Sequence, residues 1–152
     1  MRGFDNLDMD LLYELKKDGN ISVPTLSKKL GYNSSVLYSR IKRLVKKKLI
    51  KKFTIEIDDS LLGIDVKASV GINRDPKFKE QIHQSLMEIP DIVSISEVTG
   101  RFDMIVRIYA QNLEALHTAV IQKIGKIEGI QNTETFVELQ KTNKEPTYLN
   151  KN

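Results

Sequence analysis

The sequence predicts an α+β chain: a helical headpiece followed by a four-stranded βαββαβ module. Three observations predict it. Apolar residues in the first third recur at the three- and four-residue spacing of helices. The remainder contains a weak internal repeat, because its apolar positions coincide when it is shifted by 38 residues. Charge divides the chain at the same place. Residues 1–57 hold 13 Lys and Arg against 6 Asp and Glu, a net +7, whereas residues 58–152 hold 11 against 14, a net −3. A basic front and a mildly acidic rear imply modules with different partners.

The headpiece reads as three helices. Asp5 is placed to cap the first, along which Leu7, Leu11, Leu12 and Leu15 recur. Gly19 suits the position just past its end. Ser22 caps a short second helix with Pro24 early, where a missing N–H costs little. Leu26 and Leu30 face inward, and Gly31 ends it. Asn33 caps the third, with its side-chain oxygen offered to the N–H of Ser35 or Val36. Helix, short helix, tight turn and longer helix make a helix-turn-helix, whose last helix can enter a DNA major groove.

On that third helix Leu37, Ile41 and Leu44 form an apolar stripe, while Ser34, Ser35, Tyr38, Ser39 and Lys42 project elsewhere. The short side chains at its tip allow close approach to base edges. Lys46, Lys47, Lys48, Lys51 and Lys52 follow and match a row of phosphates, since phosphate contacts position whereas base contacts specify. A solvated amphipathic helix is the plainer reading of such a charge run; two preceding capped helices and the +7 balance favour DNA. Ile50, Phe53, Ile55 and Ile57 then suggest a strand, either a small wing or a connector.

In the rear module Val66, Ala68, Val70 and Ile72 alternate as in a strand, and Met104, Val106, Ile108 and Ala110 are their counterparts. Phe78, Ile82 and Leu86 step by four as in a helix, matched by Leu116, Val120 and Ile124. A second strand begins near Ile92 and again near Ile130. Strand-helix-strand twice is the ferredoxin-like arrangement, an antiparallel sheet with both helices on one face. Its uncovered face argues for a homodimer. "EVTGRFDMIV" joins the two halves, with Thr99 to Asp103 as the turn and Gly100 permitting φ > 0. Asp103 is placed to accept from backbone N–H groups or from a ligand's ammonium. The expected domains are residues 1–58, 59–142 and a polar tail, 143–152.

Composition excludes several classes. No Cys is present, so disulfides, zinc thiolates and cysteine nucleophiles are out. His83 and His117 stand alone, without metal-ligand spacing. No apolar run approaches the roughly 20 residues of a membrane span, and the N-terminus has no signal-peptide core. A soluble cytoplasmic protein with no cofactor and no enzymatic activity is expected, since no nucleophile–base set or Gly-rich phosphate loop occurs. The rival reading is a nucleoid-coating or RNA-binding protein without effector; the aromatic-rich sheet motif of RNA stacking platforms is missing.

Four segments together resemble the Lrp/AsnC, or leucine-responsive "feast/famine", transcriptional regulators, over about residues 4–140. "FDNLDMDLL" resembles the family's opening helix, with Phe4 in place of Leu. "GYNSSVLYSRIKRL" is similar to its recognition segment, including Arg40, Ile41 and Leu44. "VTGRFDMIV" resembles its Val-x-Gly-x-(Tyr/Phe)-Asp turn, and "GIQNTETFVEL" its last strand. The resemblance implies a winged helix-turn-helix followed by a ferredoxin-like effector-binding (RAM) domain that dimerises and often assembles to octamers. It implies an amino-acid effector bound between dimers, at Gly100, Arg101, Phe102 and Asp103 with Thr133 and Thr135. The candidate DNA contacts are Ser34, Ser35, Tyr38, Ser39, Arg40, Lys42, Lys46 and Lys47. A two-fold dimer implies palindromic operators, with half-sites whole helical turns apart. Lys48 and Lys52 depart from the family, standing where it usually has Gly.

Overall fold

The computed structural model describes residues 3–144. The chain divides into two compact units, the first running to Ile57 and the second spanning Asp58–Lys141. Of the expected tail, 145–152 lie outside the described residues.

The first unit holds three helices: α1 (Asn6–Lys17), α2 (Val23–Leu30) and α3 (Ser34–Lys46). Asp5 caps α1 through a reciprocal box, its Oδ1 accepting from the Asp8 N–H at 3.0 Å while Asp8 Oδ2 accepts from the Asp5 N–H at 3.1 Å. Ser22 caps α2, and Gly31 ends it in the left-handed region at φ 74°. Leu7 and Leu11 of α1, Leu26 of α2 and Leu37 of α3 close a small core, joined by half-buried Leu15, Leu30 and Ile41. Each fully buried leucine contributes roughly 1.5–3 kcal/mol of transfer free energy.

Gly19 stands just past the end of α1, as expected; Asp18 closes the helix in extended backbone, and its side chain accepts from the Asn20 N–H at 2.9 Å. Two local expectations are corrected. Asn33 occupies the cap position of α3, but its side chain makes no capping bond; its backbone carbonyl accepts from Val36 and Leu37 instead. The segment from Ile50 to Ile57 belongs to no strand. It alternates apolar and polar residues as a strand does, but a β-ladder needs a partner chain segment, and none pairs with it among the described residues.

The second unit is a four-stranded antiparallel sheet in the order β2-β3-β1-β4, with β1 Val66–Arg74, β2 Ile92–Glu97, β3 Met104–Ala110 and β4 Ile130–Val137. Helix α4 (Lys79–Met87) links β1 to β2, and α5 (Leu113–Thr118) leads from β3 towards β4. Past Thr118 the expected helix loosens into a π-helical turn, Ala119–Lys123, and a 3-10 turn, Ile124–Lys126. Val120 and Ile124 remain buried there. The two sequence repeats meet face to face: β1 pairs with β3 so that Ala68 opposes Ile108 and Val70 opposes Val106. Their inward side chains, with Ile82, Leu86, Leu116 and Ile124, form one core under both helices. That matches the ferredoxin-like expectation, including both helices on one face.

Candidate nucleic-acid interface and effector turn

The 3.6-residue period of α3 separates its functions. Leu37 and Leu44 are sealed against the headpiece core. Ser35, Tyr38, Ser39, Lys42 and Lys46 fall three, four, seven and eleven residues along from the first, so they share one face. All five are exposed, Tyr38 at 63% of its surface. Ser34 is exposed at the helix start. The structure thus brings together five of the eight predicted DNA contacts as one open stripe: short side chains near the tip, a phenol, then cations.

Arg40 and Lys47 lie elsewhere, on the flank facing the start of α1. The Arg40 guanidinium donates to Asp5 Oδ2 at 2.5 Å and to Asp8 Oδ1 at 3.3 Å. Lys47 Nζ sits 5.6 Å from the centre of the Phe4 ring. Arg43 completes the set by donating to Asp8 Oδ2. Asp8 is wholly buried, so two guanidinium groups of α3 clamp one carboxylate of α1. The Asp5 carboxyl is held below its ordinary pKa, first by the Asp8 N–H and then by Arg40, and Arg40 is raised by the same pairing with Asp5.

Past α3, Lys48 adopts φ 58° and lets the Leu49 and Ile50 N–H groups turn back onto the Leu44 carbonyl. This is the position where the resemblance calls for glycine, and the backbone explains why.

The turn between β2 and β3 is pinned to the end of β1. Asp103 Oδ2 accepts from the Arg74 N–H at 3.0 Å, the Asp103 N–H donates to the Ile72 carbonyl, and Asn73 Nδ2 donates to the Arg101 carbonyl at 2.8 Å. Gly100 sits at φ 124°. The Phe102 ring lies flat enough against β1 that a β-carbon on Gly71 would come 2.5 Å from it, and it meets Phe136 edge-on at 6.1 Å between centroids. Arg101, 74% exposed along its side chain, pairs with Glu134 at 2.6 Å.

Of the residues expected beside this turn, Thr133 and Thr135 oppose Ile72 and Val70 in the ladder, which is the parity of the helix-covered face. Glu134 and Phe136 oppose Gly71 and Ser69 and share the open face with Phe102. The structure therefore assembles Gly100, Arg101, Phe102 and Asp103 with Glu134 and Phe136, not with the two threonines. Sequence reasoning missed Gly71. Its signal was a glycine between Val70 and Ile72 inside a strand, which marks close approach by another group.

A three-helix headpiece with an exposed polar and cationic third helix, followed by a ferredoxin-like module, defines a class of DNA-binding regulators. Residues 4–51 match the family described as "Winged helix-turn-helix DNA-binding", and residues 67–148 match "Lrp/AsnC ligand binding domain". The chain is 35% identical to the HTH-type transcriptional regulator FL11 of Pyrococcus furiosus over 150 residues, covering 98% of both chains, and 34% identical to FL11 of Pyrococcus horikoshii over 95% of each. Its fold superposes on Escherichia coli AsnC with a TM-score of 0.86 at 24% identity, covering 95% of this chain and 98% of that one. It also superposes on a Neisseria meningitidis transcriptional regulator solved with L-Met, with a TM-score of 0.87 at 17% identity over 93% of each. The chain belongs to the Lrp/AsnC family of helix-turn-helix transcriptional regulators. No helix among the described residues is long and apolar enough to cross a membrane.

Proposed function

We propose that the protein binds palindromic double-stranded DNA as a homodimer and adjusts that binding to an amino-acid effector held at the β2–β3 turn. The observation that carries the reading is the open stripe on α3, exposed from Ser35 to Lys46 over a sealed apolar back. Ser35, Tyr38 and Ser39 read base edges, and Lys42 and Lys46 hold phosphates. Four phosphates neutralised per protomer would give a log–log salt slope of about −7 for the dimer.

Two features support dimerisation. One is the sheet face opposite the helices, where Ile105, Tyr109 and Phe136 lie without a covering layer among the described residues. The other is the unpaired run in which Phe53, Ile55 and Ile57 are exposed. Octamers would follow where dimers meet through the effector turn. The effector site consists of Gly100, Arg101, Phe102 and Asp103 with Glu134 and Phe136: backbone and charged groups for the amino and carboxylate ends, aromatic rings for the side chain. An effector shifts assembly only if it prefers one arrangement over another. Resemblance to a structure holding L-Met supports an amino acid as the class.

The test is unbiased selection of duplex DNA by the full chain, with and without each amino acid, together with mass measurement of the assembly. Enrichment of a palindrome and a change of enrichment or mass with one amino acid bear the reading out. Equal retention of random duplex and RNA would point to a coating protein, and a monomer at micromolar concentration would remove the dimer.

A further inference from the structure

We infer that Arg40 is not a DNA ligand but a positioning residue, which with Asp5, Asp8 and Arg43 sets the pitch of the recognition helix against α1. The inference rests on α3 being the DNA-reading helix.

Three observations carry it. First, Arg40 is off the reading stripe. Ser35, Tyr38, Ser39, Lys42 and Lys46 share one face, whereas Arg40 is directed to the N-terminal end of α1. Second, its charge is already met. One guanidinium nitrogen reaches both Asp5 Oδ2, at 2.5 Å, and Asp8 Oδ1, at 3.3 Å. A phosphate drawn to Arg40 would also approach the half-exposed Asp5 carboxylate, and the repulsion offsets the attraction. Third, the network joins α1 to α3 by directional bonds, which their shared leucine core does not supply. Asp5 and Asp8 cap each other at the start of α1, so their carboxylates are fixed before Arg40 and Arg43 arrive. Arg43 takes the inner oxygen of buried Asp8 and Arg40 bridges the outer ones. The leucine core of Leu7, Leu11, Leu26 and Leu37 keeps the apolar face of α3 turned inward, but hydrophobic burial has no bond direction and leaves small rotation of α3 about its axis open. Two guanidinium groups one turn apart on α3, meeting carboxylates one turn apart on α1, do not tolerate it. The register of Ser35, Tyr38 and Ser39 in the groove is therefore set from behind, by residues that touch no nucleotide.

The test uses the full chain and a duplex enriched by it from random sequence; failure to enrich any duplex would overturn DNA reading by α3 and, with it, this inference. Arg40→Gln is expected to weaken that duplex about tenfold, within the range of coupled networks, with an unchanged salt slope and altered preference among the base positions. Thermal melting of each variant shows whether the headpiece is folded, and Arg40→Lys, which keeps the charge but not the rigid planar guanidinium, serves where Arg40→Gln is not. It is expected to alter base preference with the slope unchanged. A salt slope shallower by about 0.9 per protomer in Arg40→Gln, with base preference unchanged, would make Arg40 a phosphate ligand and overturn the inference. Unchanged affinity and preference in a folded Arg40→Gln or Arg40→Lys variant would overturn it equally.

Discussion

Phe102 occupies the space a side chain on Gly71 would need: a β-carbon there would lie 2.5 Å from Cδ2 of the ring. Gly71 is buried mid-strand with ordinary extended backbone, so the demand is for room rather than for an unusual φ. Gly71→Ala is expected to push Phe102 off the sheet and destabilise the second unit by about 1–3 kcal/mol. Urea denaturation checks it. In Phe102→Ala the same Gly71→Ala change should cost far less, because the obstructing ring is gone; equal costs in both backgrounds would refute the packing argument.

Lys48 presents the opposite case, where backbone and not room is the constraint. Its φ of 58° places an L side chain in the left-handed region, which costs roughly 1–2 kcal/mol. Lys48→Gly should therefore stabilise the headpiece by about 1 kcal/mol after the entropy lost to the flexible residue. Lys48→Val should destabilise it, because a β-branched side chain suits that region least. Thermal unfolding of the three proteins gives the order Gly, Lys, Val.

Much of this fold was legible because its signals are periodic. The 38-residue repeat anticipated β1, α4, β3 and the helix at Leu116, and the register of β1 on β3 set those repeats side by side. Capping residues placed the three headpiece helices within a residue or two. What was illegible depended on contacts distant in sequence. Nothing near Arg40 shows that Asp5 and Asp8, more than thirty residues earlier, claim its charge. The one-residue parity of β4 likewise decides whether Thr133 and Thr135 or Glu134 and Phe136 face the turn, and the polar run "QNTET" does not state its register. The strand expected at Ile50 to Ile57 failed for a related reason: alternation shows that a segment can pair, not that a partner exists within the chain.

Acid should weaken the molecule through Glu97 as well as Asp5. Lys79 at 3.0 Å, followed by the Arg74 guanidinium, holds the Glu97 carboxyl below its ordinary pKa. A lowered folded value means that ionisation favours folding. The contribution is fully present above the ordinary carboxylate pKa of about 4 and is lost as pH falls through the lowered folded value. Glu97→Gln should flatten the acid limb of stability measured by urea denaturation between about pH 6 and pH 2. A variant with the same limb as the parent would show that the Lys79 pairing contributes nothing.

Asp8 should matter more than any exposed ion pair of the headpiece. It is wholly buried, and its two oxygens serve Arg43, Arg40 and the Asp5 N–H. Asp8→Ala removes the carboxylate partner of Arg43, one of the two partners of Arg40 and the acceptor of the Asp5 N–H, and is expected to cost about 3–5 kcal/mol, as when one partner of a buried pair is removed. Lys29, by contrast, pairs with Glu14 while more than half its side chain remains in solvent, and Lys29→Ala should cost less than about 1 kcal/mol. Comparable losses in the two variants would mean that burial does not decide the strength of these pairs.

Tyr38 and Lys46 separate reading from holding on the same face of α3. Tyr38 stands near the short-side-chain tip, and Lys46 closes the helix two turns later. Tyr38→Ala should change which bases are preferred while leaving the salt slope near its parent value. Lys46→Ala should weaken all duplexes alike and make the slope shallower by about 0.9 per protomer, because one phosphate contact fewer releases one counterion fewer. Binding titrations of an enriched and a scrambled duplex at several salt concentrations measure both quantities at once. If Lys46→Ala altered base preference and Tyr38→Ala altered only the slope, the order of tip and tail along the helix would be reversed, and α3 would enter the groove from its other end.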